Sequence, residues 1–298
     1  MRAIIPAVSV IVPARNCRPV IGEQLTALAR QNYAGTIEVI VSDNGSVDGL
    51  SEYIRSHPLR AEGLDLVLVD SSQRLGASHA RNIGVKAATG DFLVFLDADD
   101  IARSGCVDAL VRAGQHSDAV SGALVTSEIN SPKAAASRQL PPPDRPWDML
   151  PGFRMIPGSN SAVWREVLEA VGGWDEDLMA CEDLDVAIRI ERAGYVIGHA
   201  SDAIVDYRLR ENFKAILRQG MQYGEGLVGL YIKHRSDPKF PARPDPFLSI
   251  ISVVLGLLFR NPLIPSVISR TPRGLWFFSM GHEIGRIKGS IRRRVLYI

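Results

Sequence analysis

Five apolar residues in a row, Phe92-Leu93-Val94-Phe95-Leu96, run directly into Asp97-Ala98-Asp99-Asp100. A strand with no polar position has no face to give to water, so it must be covered on both sides, as inner strands of parallel sheets are. The segments before it agree. Val8 to Val12, Ile37 to Val41 and Leu64 to Val69 are short runs of strand formers. Between them, Ile21 to Gln31, Val47 to Ser56 and Ala77 to Ala88 carry helical spacing. Strands alternating with helices predict an α/β fold, a mostly parallel twisted sheet flanked by helices.

Beyond residue 100 the pattern is less regular. Helical spacing returns at Ala162 to Val171, breaks at Gly172-Gly173, and resumes from Leu184 to Ala193. Ile204 to Tyr207 reads as a short strand and Asn212 to Lys233 as a helix. Ser131 to Pro146 holds five prolines and reads as an irregular surface connection. Pro238, Pro241, Pro244 and Pro246 mark a linker. The expected organisation is a globular domain over 1–235, a Pro-rich linker over 236–246, and a C-terminal helical extension over 247–298.

Composition excludes several classes. With 298 residues, 46% hydrophobic and a net charge of +1, the chain is neither disordered nor a basic nucleic-acid binder, so no nucleic-acid partner is expected. Cys17, Cys106 and Cys181 are odd in number and widely spaced, which indicates neither a disulfide framework nor a zinc site and fits a cytoplasmic setting. No run reaches the roughly 18 to 20 apolar residues of a membrane-spanning helix. Ala3 to Ala14 contains Pro6 and Pro13 and reads as a strand rather than a signal segment.

Charge is unevenly distributed. From Pro246 onward there are eight basic residues against Glu283 alone, a local +7; the 245 residues before carry 26 basic and 32 acidic side chains, or −6. The apolar run Phe247 to Phe259 and Trp276-Phe277-Phe278 stand beside Arg286, Lys288 and Arg292-Arg293-Arg294. That mixture suits a peripheral helix on an anionic inner leaflet, and equally a helical subdomain packed on protein with its cations solvated.

Asp97-Ala98-Asp99-Asp100 is the strongest chemical feature. Strand side chains alternate, so Asp97 and Asp99 share a direction while Ala98 faces the other way. Two carboxylates at a strand's carboxyl end stand where open α/β sheets bind ligands, and hard oxygen donors suit Mg2+ or Mn2+ with phosphate oxygens. A solvated turn with capping aspartates explains the run equally well. Asp43, in Val41-Ser42-Asp43-Asn44-Gly45-Ser46, could accept the N–H edge of a base such as uracil, or simply close an Asx turn. Glu182-Asp183 precedes a helix; acidic residues favour helix starts, and a carboxylate there can also act as a general base. Asp185 and Arg189 lie i,i+4 and are expected to form an exposed structural pair. The chain has no P-loop and no nucleophile elbow, so phosphates would be gripped by metal and arginine.

Taken in order, these segments resemble family 2 glycosyltransferases of the GT-A fold over roughly Val8 to Gly226. The opening strand and donor loop of that family are similar to Val8 to Asn16, which brings in Pro13, Ala14 and Asn16 as donor-binding residues. Val41 to Gly49 resembles the motif whose first aspartate reads uracil, here Asp43, with Asn44 in place of the commoner second aspartate. Leu75 to Gly84 resembles the segment in which Arg81 lies near the diphosphate. Phe95 to Asp100 resembles the DxD motif. By that likeness Asp97 contacts the ribose and the metal's water, Ala98 lies against the donor, and Asp99 binds the metal.

Pro157 to Ala162 and Gly172 to Glu176 resemble the acceptor-side turn and loop, which makes Asn160 and Trp174 acceptor-side residues. Cys181-Glu182-Asp183 resembles the ED motif, with Glu182 facing the acceptor and Asp183 as general base. Many relatives place a metal-binding histidine where this chain reads Val205-Asp206-Tyr207-Arg208, so either Asp206 substitutes as an oxygen ligand or the metal relies on Asp99 and the diphosphate.

The resemblance implies a metal-dependent, inverting transfer from a UDP-sugar to a glycan or lipid-linked acceptor, as in polysaccharide or glycolipid assembly. Mn2+ or Mg2+ is the expected cofactor, and the expected location is cytoplasmic or at the inner face of the membrane. Two rivals remain open on the residues alone. A sugar-nucleotidyltransferase also joins a parallel sheet to metal-binding carboxylates, and a catalytically silent nucleotide-sugar-binding protein of the same fold is the other.

Overall fold

The computed structural model describes residues 5–138, 140–148, 152–241, 251, 254–256, 258, 261 and 272–297. The first half follows the alternation read above: β1 (Val8–Ala14), α1 (Arg18–Ala29), β2 (Ile37–Asp43), α2 (Leu50–Arg55), a 3-10 turn (Pro58–Arg60), β3 (Asp65–Asp70), α3 (Ala77–Ala87) and β4 (Phe92–Leu96). β4 is buried along its whole length, as its apolar composition demands.

The second half is more regular than its sequence suggests. It continues as β5 (Ile101–Ala102), α4 (Cys106–Gly114), β6 (Ala119–Val125), α5 (Pro132–Ala135), β7 (Asn160–Trp164), α6 (Arg165–Ala170), α7 (Glu182–Arg192), β8 (Ile197–Asp206), α8 (Phe213–His234) and α9 (Arg273–Arg293). Two expectations are corrected. Ala162 to Trp164 belong to a strand rather than a helix, because β7 sits between β4 and β6 and is buried on both faces, which erases any two-residue period. The last strand runs ten residues, not four, because its outer part pairs with β6.

Among the described residues the strands form one sheet in the order β3-β2-β1-β4-β7-β6-β8-β5. β3, β2, β1 and β4 are mutually parallel, β7 is antiparallel to both neighbours, and β6 and β8 are again parallel. The core lies on both faces of this sheet, with Phe92 set edge-on to Trp164 and Phe95 edge-on to Trp174.

The chain divides into two compact units, one of residues 1–128, 140–177 and 183–208, the other of residues 129–139, 178–182 and 209–298. α8 groups with α9 in the second unit. Within the second unit α8 and α9 run in the same direction. The backbone of Gly224 meets that of His282, and the backbones of Gly281 and Gly285 meet those of Leu217 and Met221, where any Cβ would collide. Gly224-Glu225-Gly226-Leu227-Val228-Gly229 spells a G-x-G-x-x-G pattern, but it lies inside α8 and serves packing rather than phosphate binding. No described helix is long and apolar enough to cross a membrane. The Pro-rich stretch from 236 to 246 is described only to residue 241, and the run Phe247 to Phe259 only at 251, 254–256 and 258; the rest of both lies outside the described residues.

Candidate active site

β2, β1 and β4 are adjacent and parallel, so their carboxyl ends open on one edge of the sheet. Ala14 pairs with Asp43, and Ile11 pairs with Phe95, two residues ahead of Pro13 and Asp97. The loops beyond β1 and β2 are laced together. Asn16, at φ +50°, donates its backbone N–H to Ser46 Oγ at 2.9 Å, and its Oδ1 accepts the N–H of Val47 at 2.9 Å. Asp43 is 6% exposed; Oδ1 accepts the Ser46 N–H at 2.9 Å and Oδ2 the Ser51 hydroxyl at 2.6 Å. Each oxygen keeps a further lone pair. Asn44 explains its own departure from aspartate: its amide donates to the carbonyls of Ser71 and Arg74 at 2.5 and 2.9 Å and accepts the Gly76 N–H at 2.8 Å.

The carboxylates of Asp97, Asp99 and Asp100 converge, with one oxygen of each within 4.8 Å of the others. Asp97 and Asp99 are half-buried and Asp100 is 1% exposed. Such an all-oxygen set suits a hard divalent cation. Three side chains that sequence reading passed over or assigned differently hold this turn. Gln24 of α1 donates to the Asp97 carbonyl at 3.1 Å and accepts the Ala102 N–H at 2.9 Å. The only sequence signal for it is a polar residue on the stripe otherwise made by Ile21, Leu25 and Leu28. Arg208 donates Nε to the Asp99 carbonyl and its backbone N–H to Asp100 Oδ1, both at 2.7 Å. Arg81 of α3, 3% exposed, places Nη2 3.2 Å from Asp97 Oδ1 and 3.3 Å from the Gly158 carbonyl, with its guanidinium 4.7 Å over the Trp174 ring. A side chain at Gly158 would strike that guanidinium.

Asp206 is engaged elsewhere. Arg103 grips it bidentately, Nη2 to Oδ1 at 2.7 Å and Nε to Oδ2 at 3.1 Å, so the oxygen ligand that could substitute for a histidine is tied to an arginine.

This sequence of strand-end motifs matches the model of glycosyl transferase family 2 over residues 9–172, more than half of the chain. The chain belongs to glycosyl transferase family 2. The glycosyl transferase family group 2 model also matches, over residues 92–278. The chain is 30% identical over 235 residues to the probable glycosyltransferase YdaM of Bacillus subtilis, covering 74% of this chain and 55% of that one. It is 28% identical to glycosyltransferase AglE of Haloferax volcanii, covering 79% and 77%, and 26% identical to succinoglycan biosynthesis protein ExoA of Rhizobium meliloti, covering 80% and 72%. The chain thus spans little more than half the length of YdaM. The GT-A fold is shared with the mannosyltransferase PcManGT of Pyrobaculum calidifontis, solved with GDP-Man and Mn2+ (TM-score 0.65, 23% identity, covering 95% of this chain and 87% of that one). It is shared also with TarS 1–349 of S. aureus, solved with UDP-GlcNAc (TM-score 0.55, 19% identity, covering 98% and 93%).

In this family 2 glycosyltransferase the loop that carries Trp174, expected on the acceptor side but only 2% exposed between Phe95 and Arg81, is clasped from α3. Asn82 donates to the Trp174 carbonyl and to Glu176, each at 2.8 Å, and its oxygen accepts the Trp174 N–H at 3.0 Å. Glu176 Oε2 also lies 2.8 Å from His79 Nδ1. Burial works to raise the Glu176 pKa, but these hydrogen bonds and the neighbouring cations hold it below the usual carboxylate range. Asp185 and Arg189 were expected to be exposed and are not. The Asp185 side chain is fully enclosed, and Arg189 bonds it at 2.9 Å while donating to the carbonyls of Val171 and Gly173. The pair fixes the Gly172-Gly173 turn ahead of Trp174.

The remaining site residues fall in two environments. Asn160 lies in the sheet interior at 0% exposure, its amide donating to the carbonyls of Ala123 and Ala203 at 2.9 and 2.8 Å; it ties β7 to β6 and to β8 beyond it instead of facing an acceptor. Glu182 and Asp183 are half-buried in the first turn of α7, where Asp183 Oδ1 accepts the N–H of Leu184 at 2.8 Å.

Proposed function

We propose that this chain transfers a sugar from a nucleotide-sugar donor, with UDP as the nucleotide, to a hydroxyl of a glycan or lipid-linked acceptor in polysaccharide or glycolipid assembly, inverting the anomeric centre. The observation that carries the reading is the convergence of Asp97, Asp99 and Asp100 within 4.8 Å, beside the Arg81 guanidinium at the carboxyl edge of the parallel strands. The nucleotide-sugars in the names of the two solved relatives, and the biosynthetic role in the name of ExoA, support the ligand class and the setting.

Asp97 and Asp99, with Asp100 beside them, fit Mn2+ or Mg2+; when bound, such an ion supplies Lewis-acid stabilisation of the charge on the departing diphosphate. Arg81 adds a fixed cation that needs no reorganisation as that charge develops. Asp43 accepts the N–H edge of the base with its remaining lone pairs, and Pro13, Ala14, Asn16 and Ala98 line the donor. Asp183, with Glu182 beside it, takes the proton of the acceptor hydroxyl as the oxygen attacks the anomeric carbon from the face opposite the diphosphate. A single displacement of that kind inverts.

The test is transfer and UDP release measured on Asp183→Asn together with UDP affinity. Turnover is expected to fall about 10²- to 10⁴-fold with affinity retained. Unchanged turnover removes Asp183 from the mechanism, and release of pyrophosphate in place of UDP removes the reading altogether. Asp99→Ala is expected to abolish the Mn2+-dependent part of UDP affinity.

The C-terminal unit is assigned in the same proposal to the anionic inner leaflet of the membrane. Ile284, Ile287 and Ile291 of α9 are exposed beside Lys288 and Arg292, with Arg294 just past the helix end. Flotation with phosphatidylglycerol vesicles is expected for the full chain and reduced in Ile287→Glu/Ile291→Glu; equal flotation of the two would strike this part out.

A further inference from the structure

Arg81 and Asn82 are consecutive residues of α3, and both end on Trp174. The Arg81 guanidinium lies 4.7 Å over the indole, while Asn82 grips the Trp174 backbone, accepting its N–H at 3.0 Å and donating to its carbonyl at 2.8 Å. The turn is shaped for this grip: Gly173 sits at φ +74°, and a Cβ there would stand 3.0 Å from Asn82 Oδ1. Glu176 closes it, bonded by Asn82 and His79 at 2.8 Å each and faced by Arg74 at 3.6 Å.

The indole is used for its face. Trp174 is buried, Phe95 meets it edge-on with ring centroids 5.0 Å apart, and its Nε1 makes no hydrogen bond. An aromatic that meets an acceptor sugar offers its ring to the cleft; this ring lies between Phe95 and a cation. Phe95 stands two residues ahead of Asp97, whose Oδ1 is 3.2 Å from Arg81 Nη2. The contacts therefore close a circuit: Asp97 to Phe95 along the chain, Phe95 to Trp174, Trp174 to Arg81, and Arg81 back to Asp97. A long, rotamer-rich side chain is fixed only where its surroundings leave it one place to lie, and a desolvated guanidinium over an indole is a strong cation–π pair.

We propose that Trp174 is a positioning residue for Arg81, its indole holding the guanidinium beside Asp97 for contact with the donor's diphosphate, and that the clasp of Asn82 and Glu176 holds the indole. This role rests on the transfer reading, and it gives Trp174 a task other than contact with the acceptor.

UDP affinity, measured by calorimetry on the full chain with Mn2+, tests this through a double-mutant cycle. Arg81→Met is expected to weaken UDP about 10- to 100-fold, the worth of hydrogen bonds to a charged group. Trp174→Leu removes the ring face and is expected to weaken UDP about 10-fold, the scale of one desolvated cation–π pair. In the Arg81→Met background the same substitution should add less than about 2-fold, because its effect passes through the guanidinium. Trp174→Phe keeps a face and gives up only the unbonded N–H, so it is expected to stay within about 3-fold of wild type. Wild-type affinity in Trp174→Leu, or full additivity with Arg81→Met, overturns the positioning role, as does a loss in Trp174→Phe equal to that in Trp174→Leu. If circular dichroism shows Trp174→Leu unfolded, Glu176→Ala, whose side chain is 26% exposed, takes its place in the cycle and is read by the same additivity. A wild type that binds no UDP removes the donor reading and this role together, whereas UDP binding with an additive cycle removes this role alone.

Discussion

The Nε of Arg208 donates to the backbone carbonyl of Asp99 at 2.7 Å, while the Arg208 backbone N–H holds Asp100 Oδ1 and its Nη2 reaches Glu23 at 2.8 Å. The end of β8 therefore shapes the acidic turn by positioning its backbone. Arg208→Ala is expected to lower Mn2+-dependent UDP affinity about 10- to 100-fold, the usual effect of removing an outer support from a metal site. Arg208→Lys should not restore it, because an ammonium lacks the planar fork that serves Asp99 and Glu23 together. Titration of UDP with and without Mn2+ reads both; undiminished affinity in Arg208→Ala would show that the turn holds without it.

Asn44→Asp would bring this chain to the commoner residue of its family and is expected to destabilise it. The carboxylate would face the Ser71 and Arg74 carbonyls that the amide now donates to, in a site 4% exposed. Leaving buried acceptors unsatisfied costs about 1 to 3 kcal/mol, more with a charge present. A lowered urea midpoint at pH 7 is the expected reading, and wild-type stability would contradict the account of Asn44.

Asp185→Ala strands the Arg189 guanidinium against the Val171–Gly173 turn. Breaking a buried pair from one side is expected to cost about 3 to 5 kcal/mol, whereas Asp185→Leu/Arg189→Met should recover much of it because no charge is left uncompensated. Urea unfolding of both variants makes the comparison. A smaller loss in the single variant than in the double would count against this role.

Glu38 links stability to pH. Burial pushes its pKa up, but hydrogen bonds from Ser9, from both donors of Thr89 and from the Gly90 N–H outweigh burial and hold it below the ordinary carboxylate value. A depressed native pKa means stability that is complete above the unfolded pKa, about 4.3 for Glu, and is lost as pH falls through the lower native value. Stability of the wild type is therefore expected to drop on acidification below about pH 5 more steeply than that of Glu38→Gln. Parallel urea-midpoint curves for the two proteins would remove Glu38 from the acid response.

Legibility in the sequence followed burial. β4 was plain because it is apolar throughout, and β1, β2 and β3 because runs of strand formers end at turn residues. The sequence pattern assigns the last three residues of β7, Ala162 to Trp164, to a helix because the strand is buried on both faces and leads straight into α6, leaving no alternation to detect. α4 carries six apolar residues in nine, yet the surrounding segment lacks the strand-to-helix punctuation that marked the first half. At the site, Asp97 and Asp99 were visible as acids closing an apolar strand, whereas Gln24 and Asn82 look like ordinary helical polar residues until their partners are seen.

Sequence alone determined the parallel, two-side-covered half-sheet and the acidic turn at its edge, since both arise from local periodicity and from where an apolar run stops. Tertiary structure alone decided which polar groups meet: Gln24 with Asp97 across 73 residues, Arg103 with Asp206 across 103, and Arg208 with Asp99 across 109. A hydrogen bond has a strict reach of about 3 Å but no sequence period, so its partner is chosen only when distant strands come into register.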